Sequence, residues 1–219
     1  MCRHVLTQVN NYYLNSYLNR AYPYHKLQSC RDPAFVHTLA CHQTPESKAW
    51  YRGSGDALRN ALPHIRFASQ GMEDPEEFLV ISGQDVYHLD FRKLVAYHRA
   101  SKADVTVVTQ EHAFQGAHAM GVCQVNPQSR RIEQFVERPS VSQMRRMVSA
   151  DNKLDVSLGM YVFKRKALER LLEEERGEDM AHMGADVVPY AVGMGMHVVA
   201  FNHAGSYHCL LYTSPSPRD

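Results

Sequence analysis

The sequence lacks the features that would tie the protein to nucleic acid or to a membrane. Its 219 residues carry a formal net charge of only +1, and the arginine pairs at 130–131 and 145–146 are isolated. Such short pairs are typical of solvated faces rather than of phosphate-binding tracks. No apolar run approaches the roughly 18 residues that cross a membrane, and the first residues do not have the layout of a secretory signal. We therefore expect neither nucleic acid nor a membrane among the partners.

The sequence also lacks the cysteine and histidine spacings of metal and redox sites. Its five cysteines have no paired short spacing, so reduced and mostly buried thiols are expected instead of a zinc site or a disulfide framework. The 13 histidines are scattered and contain no H-E-x-x-H pattern. Structural or surface roles are therefore expected for them.

The composition is that of a globular protein, with 44% hydrophobic and 21% charged residues. A chain of this length has room for one sizeable domain with its own core. We assign residues 1–208 to that domain, because no linker or repeat interrupts them. The last residues end in the Ser/Pro-rich stretch TSPSPRD. We therefore expect 209–219 to be a non-native or disordered tail.

Hydrophobic periodicity predicts alternating strands and helices. Pro63 is expected to kink or divide the second helix. The predicted helices are 9–21, 57–68, 90–102, 141–148, 166–176 and 184–194, and the predicted strands are 34–40, 78–82, 104–109, 120–125, 131–137, 155–164 and 197–201.

This alternation indicates an α/β fold built from βαβ units, with helices on both faces of a sheet. The run from 104 to 138 contains strands without long helices between them. Strands joined without a helical crossover pair in antiparallel fashion. We therefore expect a mixed, mostly parallel sheet.

Four stretches carry a family resemblance in their order and spacing. They are QTP…WYRGSGDALR (43–59), FLVISGQDVYHLDF (78–91), RIEQFVERP (131–139) and SLGMYVFKRKAL (157–168). Together they resemble the glucose-1-phosphate adenylyltransferases, and LNSYLNRAY (14–22) with GADVVP (184–189) fits the plant and algal type. The resemblance extends over residues 10–203.

The resemblance implies a Rossmann-like nucleotidyltransferase domain that joins ATP and glucose 1-phosphate. The products are ADP-glucose and pyrophosphate, for starch or glycogen synthesis. Such catalysis depends on positioning and on charge neutralisation by Mg²⁺ and basic side chains. Relatives form homo- or hetero-oligomers and work in plastids or in the cytoplasm.

The resemblance also implies a nucleotide-binding set. Gln43 would contact adenine, since an amide offers a donor and an acceptor together. Gly53, Ser54, Gly55 and Gly83 would let the backbone approach the nucleotide closely. The alternatives are a solvated loop for Gln43 and an ordinary helix start for the glycines.

A sugar-phosphate set follows in the same way. Glu137 would hold sugar hydroxyls, and Arg138 would meet the sugar phosphate with a planar fork where the family has lysine. Ser157 and Gly159 would lie against the glucose ring. The alternatives are a surface ion pair at a strand end and a structural serine.

One departure bears on catalysis directly. The family has Ser-Gly-Asp, with its Asp on the metal, where this chain has Ser82-Gly83-Gln84. A charge pair at about 4 Å near a protein surface is worth roughly 4 kcal/mol, and about 1.4 kcal/mol changes a rate tenfold. The neutral amide therefore predicts a large loss of activity. Asp85 is the substitute catalytic and metal-binding candidate, although strand alternation would turn it away from the face of Gln84.

Further departures point in the same direction. The family's phosphate loop would lie upstream of Met1, no acid occurs from 201 to 210, and His182-Met183 stands where relatives have Asp-Phe. The regulatory β-helix domain of relatives is not matched by any segment. These features predict weak or no activity. Two alternatives stay open, a non-catalytic regulatory subunit and a nucleotidyltransferase for another sugar nucleotide.

Overall fold

The computed structural model describes residues 3–23, 36–41, 49–68, 75–149, 151–173 and 179–209. The chain forms two compact units. The first combines Met1–Asp74 with Gly177–His182, and the second combines Pro75–Arg176 with Met183–Asp219. Gln43 lies outside the described residues, so its assignment to adenine stays a prediction.

Within the described residues, the first unit contains a two-stranded parallel sheet and two helices. Strand β1 (Arg3–Thr7) pairs in parallel with β2 (Val36–Ala40). The helices are α1 (Tyr12–Ala21) and α2 (Ser54–Ala68). Both predicted helices and the predicted strand are thereby confirmed with shifted ends. Strand β1 was not predicted.

Helix α2 runs without interruption through Pro63. The prediction of a division at this residue is therefore wrong. Apolar side chains are buried on both sides of the proline, including Leu58, Leu62 and Ile65. Burial of one continuous face offsets the roughly 3 kcal/mol that an internal proline costs a helix.

The described part of the second unit consists of a six-stranded sheet, an added ribbon and four helices. The sheet strands are β3 (Glu77–Ile81), β5 (Val105–Ala113), β6 (Gly121–Val125), β7 (Ile132–Glu137), β8 (Lys153–Lys164) and β9 (Val198–Asn202), and the ribbon pairs β4 (Asp85–Tyr87) with β10 (Tyr207–Cys209). The helices are α3 (Phe91–Ala100), α4 (Val141–Met147), α5 (Arg165–Glu173) and α6 (Val188–Gly193), the last preceded by a π-helical turn at Met183–Val187.

The sheet is mixed, and β8 is its central strand. Strands β3, β5 and β6 all pair with β8 in antiparallel fashion, and β9 pairs with β5 in parallel. Strands β3, β5, β6 and β9 therefore share one direction, opposite to that of β8, which confirms a mixed sheet. Because β8 lies between β3 and β5, most neighbouring strands in the described sheet are nevertheless antiparallel.

Both faces of β8 are buried. On one face its alternate residues join a core cluster with Leu94 of α3 and Met144 and Met147 of α4. On the other face Tyr161 and Phe163 are also buried, since successive strand residues point to opposite sides. The residues of β8 in this core cluster are Leu154, Val156, Leu158, Met160 and Val162.

The described chain ends with strand β10. Cys209, which the sequence analysis assigned to the tail, is the last residue of β10, and residues 210–219 lie outside the described ones. Among the helices in the described ranges, none is long and apolar enough to cross a membrane.

His98 is a buried polar group on α3. It is 1% exposed, and its Nδ1 lies 2.7 Å from Thr106 Oγ1. Its Nε2 has no hydrogen-bond partner within the described residues. Burial lowers the pKa of His98, and nearby charges act in both directions, Glu77 and Asp104 raising it and Lys164 and Arg99 lowering it.

Replacing Leu94 by alanine is expected to lower the free energy of unfolding of the second unit by about 2–5 kcal/mol, because it opens a cavity in the core cluster. Urea denaturation followed by circular dichroism measures this change. Val141→Ala is the control, since Val141 is 53% exposed and its truncation should change the free energy by less than about 0.5 kcal/mol. Equal effects of the two variants would contradict the described core.

The buried His98 is expected to make the folded state less stable in mild acid. Because its folded pKa lies below its unfolded value, the unfolded chain takes up a proton first as pH falls below about 6.5. His98→Asn should flatten the fall in unfolding free energy between about pH 7 and pH 5, by at most about 1.4 kcal/mol per pH unit. The exposed His118, changed to Asn, is the control and should leave the slope unaltered. Parallel slopes for all three proteins would exclude His98 as the cause.

Candidate active site

One edge of β8 opens between two partner strands. Strand β5 occupies the other edge along its length. On the open side, β3 ends with Ile81 opposite Met160, and β6 begins its pairing with Val122 opposite Val156. Residues 157–159 therefore lie between the end of β3 and the start of β6, without a paired strand among the described residues on that side.

Strand β8 is also bulged at this opening. Val107 of β5 pairs with Tyr161, but Thr109 pairs with Ser157, so the β8 side contains extra residues. Gly159, inside the bulge, has a φ of +67°, a conformation that glycine adopts at little cost. Bulges of this kind redirect side chains next to functional sites.

Asp85 faces this opening, whereas Gln84 is exposed. One Asp85 oxygen, Oδ2, lies 3.6 Å from the position that a Cβ on Gly159 would occupy. The other, Oδ1, accepts a hydrogen bond from the Tyr207 hydroxyl at 3.1 Å. The chain turns at residues 83–84 between β3 and β4, so the strand alternation that argued against Asp85 does not apply.

Glu137, the last residue of β7, lies between two glycines. It is the register partner of Gly121. A Cβ added to Gly121 or to Gly184 would lie 2.7 Å from Glu137 Oε2 in each case. The one at Gly184 would also lie 3.4 Å from the Tyr161 hydroxyl. The two glycines therefore leave the space that the Glu137 carboxylate occupies beside Tyr161.

Tyr161 links the two carboxylates electrostatically. It is 5% exposed, and burial raises its pKa well above the ordinary range, opposed in part by a side-chain hydrogen bond with Ser157. The negative charges of Glu137 and Asp85 raise the pKa further. The phenol therefore keeps its proton and remains a hydrogen-bond donor at neutral pH.

The structure brings four of the predicted site residues into one region and leaves two exposed. Asp85 lies against Gly159, Ser157 bonds Tyr161, and Glu137 lies beside Tyr161. Gly83 and Arg138 are exposed. The Arg138 backbone N–H donates to Met120 O at 3.1 Å, and its φ is +47°.

The glycines of WYRGSGDALR have a packing role within the first unit. A Cβ on Gly53 would lie 2.5 Å from Ala181 O, and one on Gly55 would lie 2.7 Å from Met180 O. The first-turn N–H groups of Gly55 and Asp56 both donate to Ala181 O. Backbone N–H groups in the first turn of a helix are the ones that commonly donate hydrogen bonds to a bound anion. The structure thus explains both glycines without a nucleotide, and their nucleotide-binding role stays a prediction, as does that of Ser54.

The residues present are compatible with a divalent cation bound jointly with a substrate. Within the described residues, no group of three His, Cys, Asp or Glu side chains forms a preassembled metal site. Mg²⁺, however, is commonly held by one or two carboxylates together with substrate phosphates and waters. Asp85 Oδ2 receives no hydrogen bond from the described residues and faces Gly159 at the opening. This oxygen is therefore suited to such a role.

Four residues of the site were missed by sequence reasoning. Tyr161 carried a usable signal, since it continues the two-residue spacing of Ser157 and Gly159 along β8. Tyr207 carried none, because its position depends on the pairing of β10 with β4. Gly121 and Gly184 are recognised as site residues only through their distance to Glu137.

An α/β sheet with carboxylates at an opening in its centre fits an enzyme that handles nucleotides and sugars. The chain belongs to the Nucleotidyl transferase family, whose sequence model matches residues 3–208. It is similar to the glucose-1-phosphate adenylyltransferase small subunit, chloroplastic/amyloplastic, of Triticum aestivum, with 29% identity over 214 residues covering 92% of this chain and 44% of the relative. The chain thus spans less than half of that relative. The match confirms the resemblance drawn from the four motifs.

Substituting Gly159 by alanine is expected to lower the free energy of unfolding by about 1–2 kcal/mol, the cost of a left-handed backbone for a residue with a Cβ. Its neighbours at 3.6 and 3.7 Å would be in ordinary contact, so the cost lies in the backbone. Gly193→Ala is the matched control. A Cβ on Gly193 would meet nothing within 4 Å, and the φ of Gly193 is not in the left-handed region. If both variants unfold like the parent protein in urea, the bulge is not held in this conformation.

Proposed function

We propose that this chain is the nucleotide-transferring domain of a glucose-1-phosphate adenylyltransferase. Such an enzyme transfers AMP from ATP to glucose 1-phosphate and gives ADP-glucose and pyrophosphate. The wheat relative and the family support this proposal. The observation that carries it is the grouping of Asp85, Glu137 and Ser157 around the opening beside β8.

Glu137 and its neighbours suit the sugar. A carboxylate accepts hydrogen bonds from paired sugar hydroxyls, and the glycines at 121 and 184 leave the space in which this carboxylate lies. The Tyr161 hydroxyl, 3.4 Å from a Cβ on Gly184, adds a donor that stays protonated. This combination of an acceptor and a protonated donor suits a neutral polyol.

Asp85 suits the phosphate side of the reaction. Enzymes of this kind generally use a divalent metal, and we assign Mg²⁺ to Asp85 Oδ2 because hard cations prefer carboxylate oxygens. When bound, the ion neutralises phosphate charge near the reacting phosphorus. Asp85 would orient the nucleotide through this contact, and the exposed Arg138 would meet the sugar phosphate with its planar fork.

The position of Asp85 bears on the loss of activity that Gln84 predicts. The sequence alone suggested that the metal-binding carboxylate had been lost. In the structure a carboxylate one residue later faces Gly159, and the Gln84 side chain is exposed. This geometry favours a working ligand site over a site without its anion.

The wheat relative is named a small subunit and chloroplastic/amyloplastic. On that ground we extend the proposal to assembly with other subunits in a plastid. A regulatory subunit that binds ADP-glucose without catalysis remains the second candidate, supported by the absence of any acid from 201 to 210.

The protein is expected to bind ADP-glucose in isothermal titration, more tightly in the presence of Mg²⁺, and to prefer it over UDP-glucose and GDP-mannose in competition. Asp85→Asn should abolish the gain from Mg²⁺, a loss of at least about tenfold in affinity. The affinity without metal should change little, because the sugar contacts remain.

Gln84→Ala is the matched control for this experiment. It removes the adjacent exposed side chain and should leave the Mg²⁺ effect intact. An equal loss in both variants would show that the turn, not the Asp85 carboxylate, matters. Stronger binding of UDP-glucose or GDP-mannose would replace the adenylyl assignment by that of another sugar nucleotide. ADP-glucose binding without turnover would favour the regulatory candidate.

A further inference from the structure

The ribbon of β4 and β10 has one buried and one exposed face. Tyr207 pairs with Tyr87, and Cys209 pairs with Asp85. These four side chains lie on one face by strand alternation and are all half-buried, whereas Val86 and His208 are exposed. Asp85 therefore belongs to the face that is turned toward the protein.

This face is anchored on the core cluster. Tyr87 and Tyr207 both pack against it, and the Tyr87 ring meets Phe91 of α3 edge to face at 5.8 Å. Tyr207 is consequently held at both ends, by core packing around its ring and by Asp85 at its hydroxyl. A tyrosine fixed in this way presents its O–H in a defined direction.

Tyr207 and Asp85 are diagonal neighbours on adjacent strands of the ribbon. Tyr207 lies opposite Tyr87, two residues from Asp85 on the same face, and long side chains reach such diagonal neighbours. Its hydroxyl donates to Oδ1 at 3.1 Å, while Oδ2 faces Gly159. A carboxylate held through one oxygen cannot rotate freely, so the direction of the other oxygen is fixed.

We propose that Tyr207 is a positioning residue that orients the Asp85 carboxylate, so that Oδ2 points to the opening beside β8. This inference rests on the proposed role of Asp85 toward a divalent cation. Partners that hydrogen-bond a metal-binding carboxylate orient it and commonly change metal affinity by about 10–100-fold. Tyr207 would act through Asp85, without touching the nucleotide or the sugar.

A double-mutant cycle on the full chain tests this inference. The variants are Tyr207→Phe, Asp85→Ala and the double variant, and the readout is the gain in ADP-glucose affinity that Mn²⁺ produces, measured by isothermal titration. Tyr207→Phe keeps the ring and removes only the hydroxyl. It should reduce the Mn²⁺ gain by about tenfold, and in the Asp85→Ala background it should have no further effect.

Tyr97→Phe is the matched control. Tyr97 also packs its ring against an aromatic neighbour, Phe201 at 5.3 Å, and its hydroxyl donates to Ala200 O at 3.0 Å. It belongs to α3 and has no contact with Asp85 among the described interactions. Its loss of a hydroxyl should leave the Mn²⁺ gain unchanged. Thermal unfolding without ligand checks that all variants are folded.

Each outcome separates the two assignments. If Asp85→Ala retains the Mn²⁺ gain, the role of Asp85 in the proposed function is wrong. If Asp85→Ala loses the gain and Tyr207→Phe does not, the role of Asp85 stands and the positioning role of Tyr207 is overturned. If Tyr207→Phe weakens binding equally in both backgrounds, Tyr207 acts through packing, which also overturns it.

Discussion

The antiparallel insertion of β8 between β3 and β5 is the constraint on which the rest of the second unit depends. One edge of this strand is filled by β5, and the other is shared by β3 and β6. Because neither β3 nor β6 pairs with residues 157–159, the sheet is open at this edge of its central strand, β8. The bulge at Gly159 lies at the same point. Opening and bulge together interrupt the pairing of the sheet at the place where Asp85 approaches it.

The two carboxylates of the site, Asp85 and Glu137, belong to different elements and have different neighbours. Asp85 arrives on a ribbon outside the sheet and is bonded by Tyr207, whereas Glu137 ends β7 and fits between Gly121 and Gly184. Like charges cannot approach closely in a poorly solvated site. The buried phenol of Tyr161 interacts electrostatically with both carboxylates, since each of them raises its pKa. In the proposed function, Glu137 serves the sugar hydroxyls and Asp85 serves the cation.

Most elements of the second unit were predictable, because strands such as Val105–Ala113 combine β-branched residues with polar boundaries. The uninterrupted α2 was not, since tertiary burial around Pro63 outweighs a local penalty. Strands β1, β4 and β10 were also not predictable. Strands β4 and β10 have only three residues each, and β1 lies at the start of the chain; each is defined by its pairing partner. The motif WYRGSGDALR was recognised correctly, but the contact of its glycines with residues 180–182 required coordinates.

The sequence by itself determined the α/β class through local periodicity and the family through the order of its motifs, and the family resemblance named Asp85 and Glu137 as candidates. Only the tertiary structure decided that the Asp85 carboxylate faces the opening beside β8. The residue in the family's position, Gln84, is exposed, and Asp85 reaches Gly159 because a turn precedes it and Tyr207 holds it from a strand more than a hundred residues away. Side-chain direction after a turn is set by such distant contacts, and no pattern of neighbouring residues encodes it.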